Sequence, residues 1–111
     1  MIKILTKIDG INNVLENNNL LEIEFEKNNI IKIFNELKDN TELNFNQLLD
    51  ITAVDYPSRE FRFDLIYILQ SLTKNKKIIL KTFIKENENI ESITNIHKSA
   101  DWYERECYDL F

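Results

Sequence analysis

The sequence predicts an α+β fold, a mostly antiparallel sheet of about four strands with helices packed on one face. Apolar and polar side chains alternate at strand period in residues 20–26 and again in 61–70. Apolar residues recur at helical spacing in 29–38 and near the C-terminus. A chain of 111 residues, 43% apolar and 30% charged, has room for one core, so 1–111 reads as a single domain.

The elements follow in order. Residues 8–19 are asparagine-rich and weakly periodic, which predicts a short irregular or helical lead-in. In 20–26, Leu21, Ile23 and Phe25 face one way and the glutamates the other, as in a half-buried strand. After Asn28 and Asn29, a candidate N-cap, Ile30, Ile31, Ile33, Phe34 and Leu37 set a helix over 29–38. The β-branched residues of 49–54 make another strand. Tyr56, Pro57 and Ser58 end it, because proline has no amide hydrogen to give a ladder.

Phe61 to Lys85 predicts a long antiparallel hairpin turning at 73–76, and its strands become apolar on both faces near the middle. That pattern places them centrally, with helices covering one side. Residues 86–89 form a polar link, 90–97 a short helix capped by Ser92, and a last helix runs from Ser99 or Ala100 to the end.

Composition excludes several function classes. The longest uninterrupted apolar run, Leu65 to Leu69, is far short of the roughly 20 residues a membrane-spanning helix needs. Cys107 is the only cysteine, so neither an internal disulfide nor a set of four cluster-binding thiolates is available. Gly10 is the only glycine, which leaves no phosphate-cradling loop for NADH, flavin or a nucleotide. Net charge is −5, and all of the excess lies in 86–111, where seven acids face Lys98 and Arg105. Such a surface repels nucleic acid and admits a basic protein partner.

Few residues could carry chemistry. His97, the only histidine, fits a helix-end residue near terminal carbonyls better than a proton-transfer or hydrolase residue. Cys107 shares a helical stripe with Tyr103, Leu110 and Phe111, which favours core packing over nucleophilic attack. Glu104, Glu106 and Asp109 do not converge on a substrate by themselves, and no nucleophile or metal set accompanies them. Arg105 lies four residues from both Asp101 and Asp109 and can pair with either.

The run Trp102, Tyr103, Glu104, Arg105, Glu106, Cys107, Tyr108, Asp109, Leu110, Phe111 resembles the signature of the 30 kDa subunit family of respiratory NADH:quinone oxidoreductase, or complex I. That family includes the bacterial C-type subunit and mitochondrial NADH dehydrogenase subunit 9. Leu49 to Pro57, Arg62 to Tyr67, Ile79 to Phe83 and Ile90 to Ile93 are similar to further family segments. The resemblance covers 42–111 in register, and 20–38 more loosely. Family members continue past the phenylalanine with a glycine and a basic, proline-containing portion, so the resemblance implies that the family's C-terminal extension is a separate polypeptide, is not included in this chain, or is lost from a degenerate fragment.

The resemblance implies a cofactor-free structural subunit in the peripheral arm of a proton-pumping NADH:ubiquinone oxidoreductase. It would support the quinone-reducing module, while FMN, iron–sulfur clusters and quinone sit on partner subunits. Its partners would be other complex I subunits, chiefly the large quinone-site subunit, and a separate polypeptide could supply the missing half. Interface roles fall on Trp102, Tyr103, Glu104, Arg105, Glu106, Asp109 and Phe111. The expected location is the matrix side of the mitochondrial inner membrane, with the cytoplasmic face of a bacterial inner membrane as the alternative. The N-terminus shows neither a signal-peptide nor a transit pattern, and with the asparagine, isoleucine and lysine bias of the chain this leads one to expect an organelle-encoded gene. The competing reading is a free-standing α+β adaptor that binds a basic protein.

Overall fold

In the computed structural model, the backbone is described for residues 1–109 and the side chains for 1–107. The element order is α1 (Ile2–Thr6), β1 (Ile11–Asn17), β2 (Leu20–Phe25), α2 (Ile30–Asp39), β3 (Gln47–Asp55), β4 (Phe63–Ser71), β5 (Lys76–Ile84) and α3 (Ala100–Asp109). The strands form one sheet in the order β1-β2-β5-β4-β3. Every pairing is antiparallel except the parallel one between β2 and β5. The fold is therefore α+β as expected, with five strands in place of about four and a mixed sheet.

The additional strand is β1, in the asparagine-rich segment expected to be an irregular or helical lead-in. Asparagine is poor in strands because its side chain competes for backbone groups. Here, edge position and side-chain pairing compensate. Asn13 donates to Glu24 at 2.8 Å and Asn12 to Glu26 at 2.9 Å, across the β1–β2 register. Asn18 takes a positive φ of 56° in the connecting turn, a conformation asparagine adopts more readily than most residues. Exposed on most of its length, β1 carries no alternating apolar pattern to read.

From β2 the chain enters a single 3-10 turn at Lys27–Asn29 and then α2. Ile30, Ile33, Phe34 and Leu37 form its buried stripe, as the periodicity predicts. Asn29 gives the helix no side-chain cap. Its side chain lies instead against Gly10, where φ is +93° and an added Cβ would come within 2.6 Å of the Asn29 Cβ.

Helix α2 packs on the face of the sheet that presents Leu21, Ile23, Phe25, Leu65, Tyr67, Leu69, Ile78 and Leu80, all buried. At its centre Phe34 meets Tyr67 edge-on at 5.0 Å and Phe25 at 5.9 Å between ring centroids. Such pairs add about 0.5–1.5 kcal/mol each beyond area burial. The predicted hairpin is β4–β5, with β4 flanked by β3 and β5, so its double-sided apolar pattern does mark a central place.

Residues 90–97 depart from expectation: they form a single turn rather than a helix. Ile96 and His97 both donate their amides to the Ile93 carbonyl at 2.9 Å, and the ladder stops there. Ser92 bonds Thr94 and Glu104 instead of capping a helix. His97 is not a helix-end residue exposed to carbonyls. The residue is 5% exposed, its ring stands edge-on to Phe34, and its Nε2 has no hydrogen-bond partner among the described residues.

This packing has measurable consequences at two positions. Gly10→Ala forces a Cβ into Asn29 at a left-handed φ and should cost roughly 1–3 kcal/mol in urea unfolding. For His97, burial and then the nearby Lys38 charge hold its pKa below the ordinary 6.5. The unfolded chain then binds a proton more readily than the folded one, so stability is complete above about pH 6.5 and declines as pH falls towards the folded pKa. Urea midpoints at pH 7.5 and 5.5 should show this decline, and His97→Phe should flatten it.

Candidate docking surface on the C-terminal helix

Helix α3 has two distinct faces. Ala100, Glu104 and Cys107 are buried and Tyr103 is half-buried, at the i, i+4, i+7 spacing of a core-facing stripe. Asp101, Trp102, Arg105 and Glu106 point outwards, with Trp102 66% exposed. Of the seven residues expected at an interface, the structure brings Trp102, Arg105 and Glu106 together on the outer face. Tyr103 and Glu104 turn inwards. Asp109 ends the helix with its side chain beyond the described residues, and Phe111 lies outside them altogether.

Glu104 is used within the chain. Its Oε1 accepts the Ile93 amide at 2.9 Å and its Oε2 the Ser92 hydroxyl at 2.6 Å, so one carboxylate ties α3 to the 92–97 turn. Hydrogen bonds to a charged acceptor are worth more than neutral ones, and here they satisfy a buried amide. Cys107 sits on the same inner face and donates its thiol to the Ile51 carbonyl of the edge strand β3 at 3.2 Å. Burial, and then the charges of Asp50, Glu106 and Glu104, push that thiol up to about 11. It stays protonated at neutral pH, as a packing residue does.

On the outer face Arg105 pairs with Asp101 at 3.3 Å, one of the two partners its spacing allows, and the Asp109 alternative lies outside the described side chains. Both groups are well exposed, so this pair orients the guanidinium along the outer face of α3 more than it stabilises the fold.

Beside α3 opens a cleft of about 570 Å³ lined by β3, β4, the 84–90 segment and Cys107. Its wall carries an ion-pair group that the sequence did not single out. Arg62 donates to both oxygens of Asp55 at 2.7 and 2.9 Å and reaches Glu86 at 3.4 Å. The bond from Arg62 holds the Asp55 carboxyl below the usual carboxylate range. Next to it, Arg59 pairs with the buried Asp64 and lies 3.9 Å over the Tyr56 ring. The available signal was an acid and a base bracketing the turn at Pro57, where strand pairing brings their side chains together.

Among the described residues no three histidine, cysteine or acidic side chains converge as for a metal ion, and no helix is long and apolar enough to cross a membrane.

Glu104→Ala leaves the buried Ile93 amide without its acceptor and should cost about 1.5–3 kcal/mol in urea unfolding, with Glu104→Gln retaining part of that loss.

Comparison with known proteins agrees with this architecture. Residues 23–111 match the family model described as the respiratory-chain NADH dehydrogenase, 30 Kd subunit. The C-type NADH-quinone oxidoreductase subunit of Ruegeria pomeroyi is 40% identical over 91 residues, which are 82% of this chain and 46% of that protein. The mitochondrial NADH-ubiquinone oxidoreductase 30.4 kDa subunit of Neurospora crassa is 45% identical over 82 residues, 74% of this chain and 29% of that one. This chain thus spans about half, or less, of the length of these relatives. A chain in the structure of the membrane-bound sulfane sulfur reductase, an archaeal respiratory membrane complex, superposes with a TM-score of 0.84 at 28% identity, covering 98% of this chain and 64% of that one. Since the family match takes in the end of β2, then α2, β3, β4, β5 and the whole of α3, the chain belongs to the 30 Kd subunit family of the respiratory-chain NADH dehydrogenase.

Proposed function

We propose that this chain is a cofactor-free structural subunit of the peripheral arm of a proton-pumping NADH:ubiquinone oxidoreductase. In this reading it packs on the large quinone-site subunit through the outer face of α3, and electrons pass through its neighbours. The FMN, iron–sulfur clusters and quinone belong to those neighbours. The complex sits at the mitochondrial inner membrane on the matrix side, or at the equivalent cytoplasmic face in a bacterium.

The observation that carries the reading is Trp102, a large indole left 66% exposed on a helix whose other face is anchored by Glu104 and Cys107. Tryptophan and arginine are among the residues enriched in the centres of protein interfaces, and Trp102 and Arg105 both stand on this outer face. Glu106 completes the patch with an acid one turn from Trp102. Family membership gives the assembled subunit precedence over a free-standing adaptor for a basic protein.

Trp102→Ala and Arg105→Ala should each lower the amount of assembled complex several-fold on native gels, since truncating such an anchor costs on the order of 2 kcal/mol or more. Turnover per assembled complex should stay unchanged. Full assembly with slowed chemistry would count against the structural role.

A further inference from the structure

We infer that the cleft beside α3 receives a segment of a neighbouring protein that carries a bulky apolar side chain flanked by lysine or arginine. The inference rests on the reading of the chain as an assembly subunit and names the chemistry of a second contact. Its floor is apolar: Ala53 and Leu65 from paired positions on β3 and β4, Ile84 from β5, Ile90 and Cys107. A volume of about 570 Å³ exceeds any single side chain, so backbone enters with it. Cys107 contributes surface rather than reactivity, since its thiol is already given to the Ile51 carbonyl.

Charge decides the flanking residues. Of the seven acids in 86–111, Glu86 and Glu88 line this cleft, with Asp55 of β3, and Glu88 is held by Lys27 at 3.3 Å. The cations lining it are already committed. Arg62 is paired with Asp55 and Glu86, and Lys85 with Glu60 at 3.3 Å. Glu86 remains 64% exposed at the mouth, its contact with Arg62 loose at 3.4 Å. An incoming ammonium or guanidinium meets a carboxylate there, while an incoming acid meets repulsion.

The test uses the full chain within its host complex. Ala53→Phe fills the floor and Glu86→Lys reverses the rim, with Glu22→Lys on the uncovered sheet face as the control. Thermal melting of each purified variant shows whether it folds. The inference expects both cleft variants to fold and to enter the complex several-fold less than the control. A zero-length carbodiimide should also join Glu86 of the native complex to a lysine on another polypeptide, next to an apolar residue. Should Ala53→Phe fail to fold, Glu86→Lys and the cross-link decide. Full assembly of the cleft variants, no cross-link from Glu86, or a Glu86 cross-link to a lysine of this same chain alone would overturn the inference. If Trp102→Ala still blocks assembly in that event, only the cleft is wrong; if it too assembles fully, the subunit reading falls with it.

Discussion

The ring of Phe34, fully buried on α2, touches Phe25 on β2, Tyr67 on β4 and His97 in the turn before α3. Those contacts join the crossing helix to both halves of the sheet and to the segment on which the C-terminal helix rests. Removing a ring of this size from a filled core costs about 3–5 kcal/mol, a large part of what a domain this small has in reserve. Without it, the parallel β2–β5 pair at the middle of the sheet would lose the cover that parallel pairing requires.

From that core the connection runs outwards in two steps. Ile93, Ile96 and His97 bury against the helix side of the sheet, and Glu104 then fastens α3 to their turn. One carboxylate of the signature segment is therefore spent on holding the helix in place. Its neighbours two positions before and one or two after face outwards, since they lie across the helix from the stripe of Ala100, Tyr103, Glu104 and Cys107. The result is a rigid platform, which lowers the ordering cost of any partner that docks on it.

The ion pairs beyond β3 and β4 do a different job. Arg62 bridges Asp55 and Glu86, and so ties the ends of two strands to the link that leaves β5. In exposed positions such pairs contribute little net stability, but they set the direction of side chains and the sign of a surface. Here they pair off Arg62 and Lys85 beside the cleft and leave Glu86 the most exposed carboxylate of the Arg62 group.

Periodicity and composition encode the α+β class, β2 through β5, α2, α3 and the inward role of Cys107, because each of these depends on which side chains lie a strand or helix period apart. The family is equally legible, through a run of charged and aromatic residues that composition alone would not produce. Three outcomes needed the folded chain. β1 is a strand because its asparagines find glutamates across the register, a pairing that local propensity cannot see. The segment 90–97 is a single turn on the Ile93 carbonyl, held to α3 by Glu104 eleven residues beyond Ile93, a partner that the local pattern does not reveal. And of the signature residues, those that serve the fold part from those that serve a surface according to which side of α3 meets β3, which is set by packing between elements and absent from the order of residues along the chain.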